Sequence, residues 1–201
     1  MKRLELLKPL FPFNITQGFG GNFIIDYTKI FPGLKGHNGL DATRGCISGK
    51  CYAIEGAYIR ASHDGTIYSV WQDDKGAWII EVITDEQFLD INGQSYYWKT
   101  IYAHLLANPP VIKGQKVKVG DILGFADTTG FVTGPHLHWG LKPGQMIDDQ
   151  FIKAFPNNGY WGAVDPVPYL SNLSAYEVMN TIQLASEIIR KVVEFIKNWK
   201  K

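Results

Sequence analysis

Five histidines, His37, His63, His104, His136 and His138, are the side chains of this sequence best suited to proton or metal chemistry near neutral pH. Four of them sit in short contexts flanked by glycine or aromatic residues. His37 lies in GHNGLD with Asp41 four residues on, His104 lies near the end of IYAHL, and His136 and His138 share TGPHLHWGL. A spacing of two on a strand puts both side chains on one face, so His136 and His138 can enter one site while Leu137 points the other way, into the core. A spacing of four would share a face on a helix, but Gly36 and Gly39 argue against helix. GHNGLD therefore reads as an irregular strand or loop that wraps a metal. Zinc accepts imidazole nitrogen and carboxylate oxygen, and a catalytic zinc uses three protein ligands and leaves a fourth position open. Two histidines and one aspartate meet that need. An H-x-x-x-D pair alone arises by chance in many chains, and a lone histidine such as His63 is ordinarily a surface or satisfied core residue. It is the combination that carries weight.

The elements that must position these residues are short strands. Residues 67–71, 78–84, 97–103 and 136–141 mix β-branched and aromatic residues between turn signals. Asn92-Gly93 marks a hairpin between two such runs, and VIKGQKVKVGDILGFADTTG reads as tightly turned strands. The expected organisation is a lead-in over 1–35, a β-rich core over 36–142, a loop-rich extension over 143–170 and a C-terminal helix over 171–201. Ser174 and Glu177 form a capping box. Val178, Ile182, Ala185, Ile189, Val192, Ile196 and Trp199 then recur at alternating spacings of four and three, flanked by Ile188 and Phe195. That is one apolar stripe on a single amphipathic helix, suited to docking or self-association. Glu187, Arg190, Lys191 and Glu194 argue against a transmembrane span.

The bulk composition excludes several classes. The chain has 201 residues, 45 % hydrophobic and 19 % charged, which is ordinary globular material. A formal net charge of +1 gives no long-range argument for nucleic acid. The first twenty residues hold no apolar export segment. Cys46 and Cys51 lie in one loop, CISGKC, where a small disulfide and two free thiols are both open readings; a zinc knuckle lacks its second cysteine pair.

GHNGLD, YAHL and GPHLHWGL together resemble the lysostaphin-type (LytM-like) zinc metalloendopeptidases, which hydrolyse peptidoglycan. KGQKVKVGDILGFADTTGFVTG is similar to that family's hairpin before its H-x-H strand, and ITQGFG and YIRASHDGTIYSV resemble further family segments. The resemblance spans roughly residues 15–142. It implies a mainly β fold, a compact antiparallel sheet domain of the duplicated hybrid motif or barrel-sandwich kind, with a groove. It implies one zinc held by His37, Asp41 and His138, with His104 and His136 catalytic. The implied substrate is a peptidoglycan peptide, either a stem-peptide cross-link or an interpeptide bridge. A place of action outside the cell or facing the cell wall follows, with a phage-encoded lysin as one route to it. The CISGKC loop, the insert around DEQFLDINGQSYYW and the C-terminal helix depart from the family pattern without touching the ligands.

The implied chemistry is metal-assisted amide hydrolysis. No H-E-x-x-H glutamate is present to act as base, so the base must come from elsewhere; a histidine suits neutral pH, and His104 and His136 are the candidates. The aromatics Tyr96, Tyr97, Trp98, Tyr102, Trp139, Tyr160 and Trp161 could wall a peptide groove, but strand aromatics are mostly core, and none is assigned to binding.

Overall fold

A computed structural model describes residues 1–22 and 25–199, the side chains of Ala175 and of residues 195–199 excepted. The lead-in carries β1 (Leu6–Lys8), β2 (Asn14–Gln17) and a one-turn helix, α1 (Tyr27–Ile30). β3 (Leu40–Thr43) follows GHNG. CISGKC folds as a small hairpin of β4 (Cys46–Ile47) and β5 (Lys50–Cys51), and Cys46 and Cys51 face each other in it as a disulfide. Next come β6 (Tyr58–Arg60), β7 (Gly65–Gln72), β8 (Trp78–Ile83), β9 (Phe88–Leu89) and β10 (Ser95–Leu105). β11 (Lys116–Val117), β12 (Ile122–Phe125), β13 (Leu137–Ile147), β14 (Gln150–Lys153) and β15 (Leu170–Ser174) then lead to the long helix α2 (Ala175–Trp199). The chain is mainly β with a C-terminal helix.

One antiparallel sheet dominates, in the order β11-β7-β8-β10-β13-β3-β2, with β14 beside β13 and β9 beside β10. Strict alternation sorts its side chains. Ile80 and Val82 of β8, Trp98 and Tyr102 of β10, and Leu137, Trp139 and Leu141 of β13 are all buried in one core. The strand pair β6–β12 closes that core through Ile59 and Leu123, together with Leu4, Leu6 and Leu10 from the lead-in. The alternate residues, Ile79 and Glu81, Ile101 and Ala103, and His138 and Lys142, line a groove on the opposite face.

The region from 143 onward holds more strand than its prolines and glycines suggest. β13 runs straight through Pro143 and turns back as β14. The reason lies in the ladder. Pro143 stands opposite Trp98, whose backbone N–H donates to the Thr84 hydroxyl and whose carbonyl accepts from Thr84 N–H. Both Trp98 groups are thus spent on the side away from β13, and Pro143 owes that neighbour no N–H. β15 then pairs in parallel with β1, joining the two ends of the chain.

α2 starts as its capping box requires. The Glu177 carboxylate accepts from Ser174 N–H at 2.6 Å, and Glu177 N–H donates to the Ser174 hydroxyl at 3.1 Å. Tyr176 stacks on Phe11 at 5.1 Å. Further along, Ile182, Leu184, Ile188, Ile189, Val192 and Val193 are exposed. The stripe's last side chains, Phe195, Ile196 and Trp199, lie outside the described residues. No described helix is long and apolar enough to cross a membrane.

Candidate metal centre

The antiparallel register brings the site together. Asp41 on β3 stands directly opposite His138 on β13, which in turn faces Ala103 on β10. Asp41 Oδ1 lies 3.1 Å from His138 Nδ1. His37 reaches the same point from the segment before β3, with its Nε2 3.0 Å from Asp41 Oδ1 and 2.9 Å from His138 Nδ1. His37 is almost fully buried, at 1 % exposure.

Glycines make this approach possible. Gly20 N–H donates to the His37 carbonyl at 2.7 Å, and His37 N–H donates to the Gly21 carbonyl at 3.0 Å. A Cβ on Gly36 would sit 2.5 Å from the Gly20 carbonyl oxygen, so the two backbones can meet only without it. The ITQGFG and GHNGLD segments thus form one clasp.

The donor chemistry fits a metal ion. His37 Nδ1 lies 3.2 Å from the Gly18 carbonyl, which can only accept, so Nδ1 carries the hydrogen and the Nε2 lone pair turns inward. It faces a carboxylate oxygen and a second imidazole nitrogen, and the ligand atoms of His37, Asp41 and His138 all lie within 4.8 Å of one another. Lone pairs converging in this way repel unless a cation or proton sits among them. Asp41 is held well below the usual carboxylate range: burial alone would raise it, but the close imidazoles of His138 and His37 at its Oδ1 outweigh that effect. A carboxylate with two imidazoles is a ligand set suited to a divalent ion of borderline softness.

His104 and His136 stand beside this triangle, outside it. His136 Nε2 is 3.5 Å from Asp41 Oδ1, and the His136 and His104 ring centroids are 4.7 Å apart. Both rings are oriented through Nδ1. His136 Nδ1 lies 2.8 Å from the Gly134 carbonyl, and His104 Nδ1 lies 2.8 Å from the Thr129 carbonyl. Thr129 is itself fixed, because its hydroxyl donates to the Leu105 carbonyl and accepts from Trp78 N–H. Burial, and then the imidazoles of His138 and His136, push His104 down to about 4. At neutral pH it is an uncharged ring able to accept a proton.

His104 occupies this place against the alternation of its own strand. The core-facing residues of β10 are Trp98, Thr100 and Tyr102, so His104 would follow them into the core. Instead its φ is +64°, and the β10–β8 register shifts between Tyr102 and Leu105. After this irregularity the core phase passes to Leu105, which is fully buried. A left-handed residue at a bulge re-aims the imidazole into the groove, at a backbone cost of about 1–3 kcal/mol.

The groove holds about 610 Å³. Its floor is Ile79, Ile101 and Ala103, and Phe31, Phe131 and Trp161 rise on one side, with Phe31 centred 6.1 Å from Phe131 and 6.2 Å from Trp161. Of the aromatics considered from the sequence, Trp98, Tyr102 and Trp139 are core and Trp161 lines the groove. Phe31 and Phe131 were not among them; their only signal is proximity to the GHNGLD and GPHLH segments. The carbonyls of Gly18, Thr129 and Gly134 carry no sequence signal at all. His63 is a satisfied core residue, bonded to the Thr100 hydroxyl at 2.9 Å and facing the Asp64 carbonyl at 2.8 Å.

The chain is similar to known proteins over most of this fold. Residues 47–149 match the family described as Peptidase family M23, a span that contains His104, His136 and His138 and begins just after His37 and Asp41. Over 118 residues the chain is 30 % identical to glycyl-glycine endopeptidase ALE-1 of Staphylococcus capitis, covering 58 % of this chain and 26 % of that protein. The chain therefore spans about a quarter of the length of that relative. Among solved structures, the catalytic domain of the antimicrobial peptidase lysostaphin from Staphylococcus simulans is similar with a TM-score of 0.50 and 23 % identity, over 78 % of this chain and 91 % of that one. A catalytic-domain variant of the prophage-encoded M23 protein EnpA from Enterococcus faecalis is similar with a TM-score of 0.51 and 24 % identity, over 81 % and 97 %. These two likenesses establish the fold. The family match covers just over half of the sequence and includes three of the five residues of the site, and by it the chain belongs to peptidase family M23.

Proposed function

We propose that this protein is a zinc endopeptidase that hydrolyses peptide bonds of bacterial peptidoglycan, with His37, Asp41 and His138 as metal ligands and His104 and His136 as catalytic residues. The convergence of the three ligand atoms beneath a peptide-sized groove, with two further imidazoles beside them, is the observation that carries this reading. The relative named as a glycyl-glycine endopeptidase supports the substrate class, and action at the cell wall follows from it.

A zinc ion in this ligand set would supply Lewis-acid polarisation of the scissile carbonyl and acidify a water. The chain's own residues supply the rest. His104 and His136 each commit Nδ1 to a backbone carbonyl, so each presents Nε2 to the groove in a fixed orientation. One takes the proton of the attacking water on its free Nε2, and the other, with its ring protonated, donates Nε2–H to the tetrahedral oxyanion. The ring that took the water proton then donates to the leaving amine. The apolar floor and aromatic side of the groove offer a peptide an apolar surface beside these residues.

The test is turnover and zinc content on the same preparations, with release of muropeptides from purified cell wall compared with and without chelator. His138→Ala should lose tight zinc binding and activity together. His104→Ala and His136→Ala should keep zinc and lose about 10²- to 10⁴-fold in rate. Zinc lost in step with activity in either of these two variants would mean that a ligand has been taken for a catalyst.

A further inference from the structure

On the floor of the groove, β13 presents His138, Gly140 and Lys142 in succession on one face, and β10 presents Ala103, Ile101 and Lys99 opposite them. Gly140 places no side chain between the metal centre and Lys142. Four residues of strand separate Lys142 from His138, about 13 Å at roughly 3.3 Å per residue.

The charges at this end of the groove do not balance. Glu81 is the acidic side chain there, and it is already engaged. Its carboxylate accepts from Lys99 Nζ at 2.9 Å and from the Ser69 hydroxyl at 2.7 Å. Lys99 is committed further, with its ammonium 4.7 Å from the Tyr68 ring centre and 4.8 Å from that of Phe151. Lys142 lines the same groove, half-buried, and none of the described residues forms a hydrogen bond or ion pair with it. A half-buried ammonium whose acidic neighbour, Glu81, is already paired with Lys99 is expensive in a folded domain unless something else supplies an anion.

We propose that Lys142 is a specificity-determining residue that holds a carboxylate of the peptide substrate about three or four residues from the scissile bond. Burial, and then the neighbouring Lys99, push the Lys142 amine down to about 8 against the pull of Glu81, so its charge is under-compensated in the folded chain. The apolar stretch of Ile79 and Ile101 between the two sites offers nothing polar to compete for the carboxylate. This inference rests on the endopeptidase reading above and assigns a further contact within that same groove.

The carboxylate could be the peptide's C-terminus or an acidic side chain, and the experiment separates them. A synthetic cross-linked stem peptide is made in three forms: with both carboxylates free, with the C-terminus amidated, and with the side chain amidated. Each is assayed for hydrolysis and, separately, for equilibrium binding, with the parent and with Lys142→Met, Lys142→Gln and Lys142→Arg. The expected result is that one amidation lowers kcat/KM and affinity of the parent by about ten- to a hundred-fold, the range of a charge-assisted hydrogen bond. Lys142→Met and Lys142→Gln should show the same loss on the free peptide and no longer distinguish it from the amidated one, while Lys142→Arg should still discriminate. The amidation that matters names the source. Discrimination unchanged in Lys142→Met or Lys142→Gln, or an equal fall on all three peptides, overturns the assignment. The binding arm keeps the two readings apart. A parent that binds the free peptide preferentially yet cuts none of them refutes the endopeptidase reading alone, and a parent that binds all three alike refutes the role of Lys142 whether or not it cuts.

Discussion

Replacing Gly39 by alanine should loosen the metal without unfolding the protein. The position lies between His37 and Asp41, and a Cβ built there would stand 2.7 Å from the Trp139 carbonyl oxygen, 2.8 Å from His138 Cε1 and 2.9 Å from His138 Nε2. Ordinary contact begins near 3.4 Å, so the His138 ring would have to withdraw by 0.5–0.6 Å, the difference between those separations. The Trp139 carbonyl cannot yield alone, because Trp139 pairs with Leu40 in the β3–β13 ladder, one residue from the insertion. The strain therefore falls on the imidazole and the local backbone. Catalytic constellations tolerate about 0.5 Å of misplacement, and disturbing what orients a ligand typically weakens metal affinity by about 10- to 100-fold. Overpacking of this size costs about 1–3 kcal/mol of stability. The assay is zinc competition against a chromophoric chelator, with thermal melting alongside. Gly45→Ala, whose Cβ would make only ordinary contact with Asn14, is the control and should change neither quantity. If Gly39→Ala holds zinc as tightly as the parent, or if Gly45→Ala loses as much affinity, the placement of His138 against Gly39 is wrong.

Two further outcomes are expected. Deleting α2 from Ala175 onward should leave hydrolysis of soluble peptides within a few-fold of the parent while changing association or solubility, since every site residue precedes the helix and its apolar side chains are exposed; a truncated protein that folds but no longer cleaves would place α2 in the active site. Stability should fall as pH drops from 7 to 5, in part through His63, whose buried ring is depressed below its ordinary 6.5 by burial. The unfolded chain then binds more protons than the folded one below that value, so unfolding is favoured as pH falls. Urea denaturation at the two pH values should show a smaller loss for His63→Gln than for the parent, and an equal loss would remove His63 as a source of the slope.

What could be read from the residues alone was local. H-x-H spacing places His136 and His138 on one face of a strand because the strand period is two, whatever surrounds it. Ser174 and Glu177 announce the start of α2 because a capping box closes within one turn, whereas the sequence left His63 as either a surface or a satisfied core residue and only the fold chose the core. Everything that depends on which strands pair, and in what register, was decided only in three dimensions. Asp41 meets His138 because β3 and β13 run antiparallel with those two residues opposite, a fact separated by almost a hundred residues of chain. Pro143 can sit inside β13 because Trp98 turns both its backbone groups toward Thr84, so a residue that reads as a strand breaker breaks nothing. The face taken by His104 shows the division most sharply. Alternation along β10 sends it into the core with Tyr102, and a left-handed backbone at a register shift sends it into the groove instead. That conformation is unfavourable for a histidine in isolation. The folded sheet holds it there, with Leu105 buried on one side and the Thr129 carbonyl gripping the ring on the other, and no local pattern of residue types encodes such a constraint.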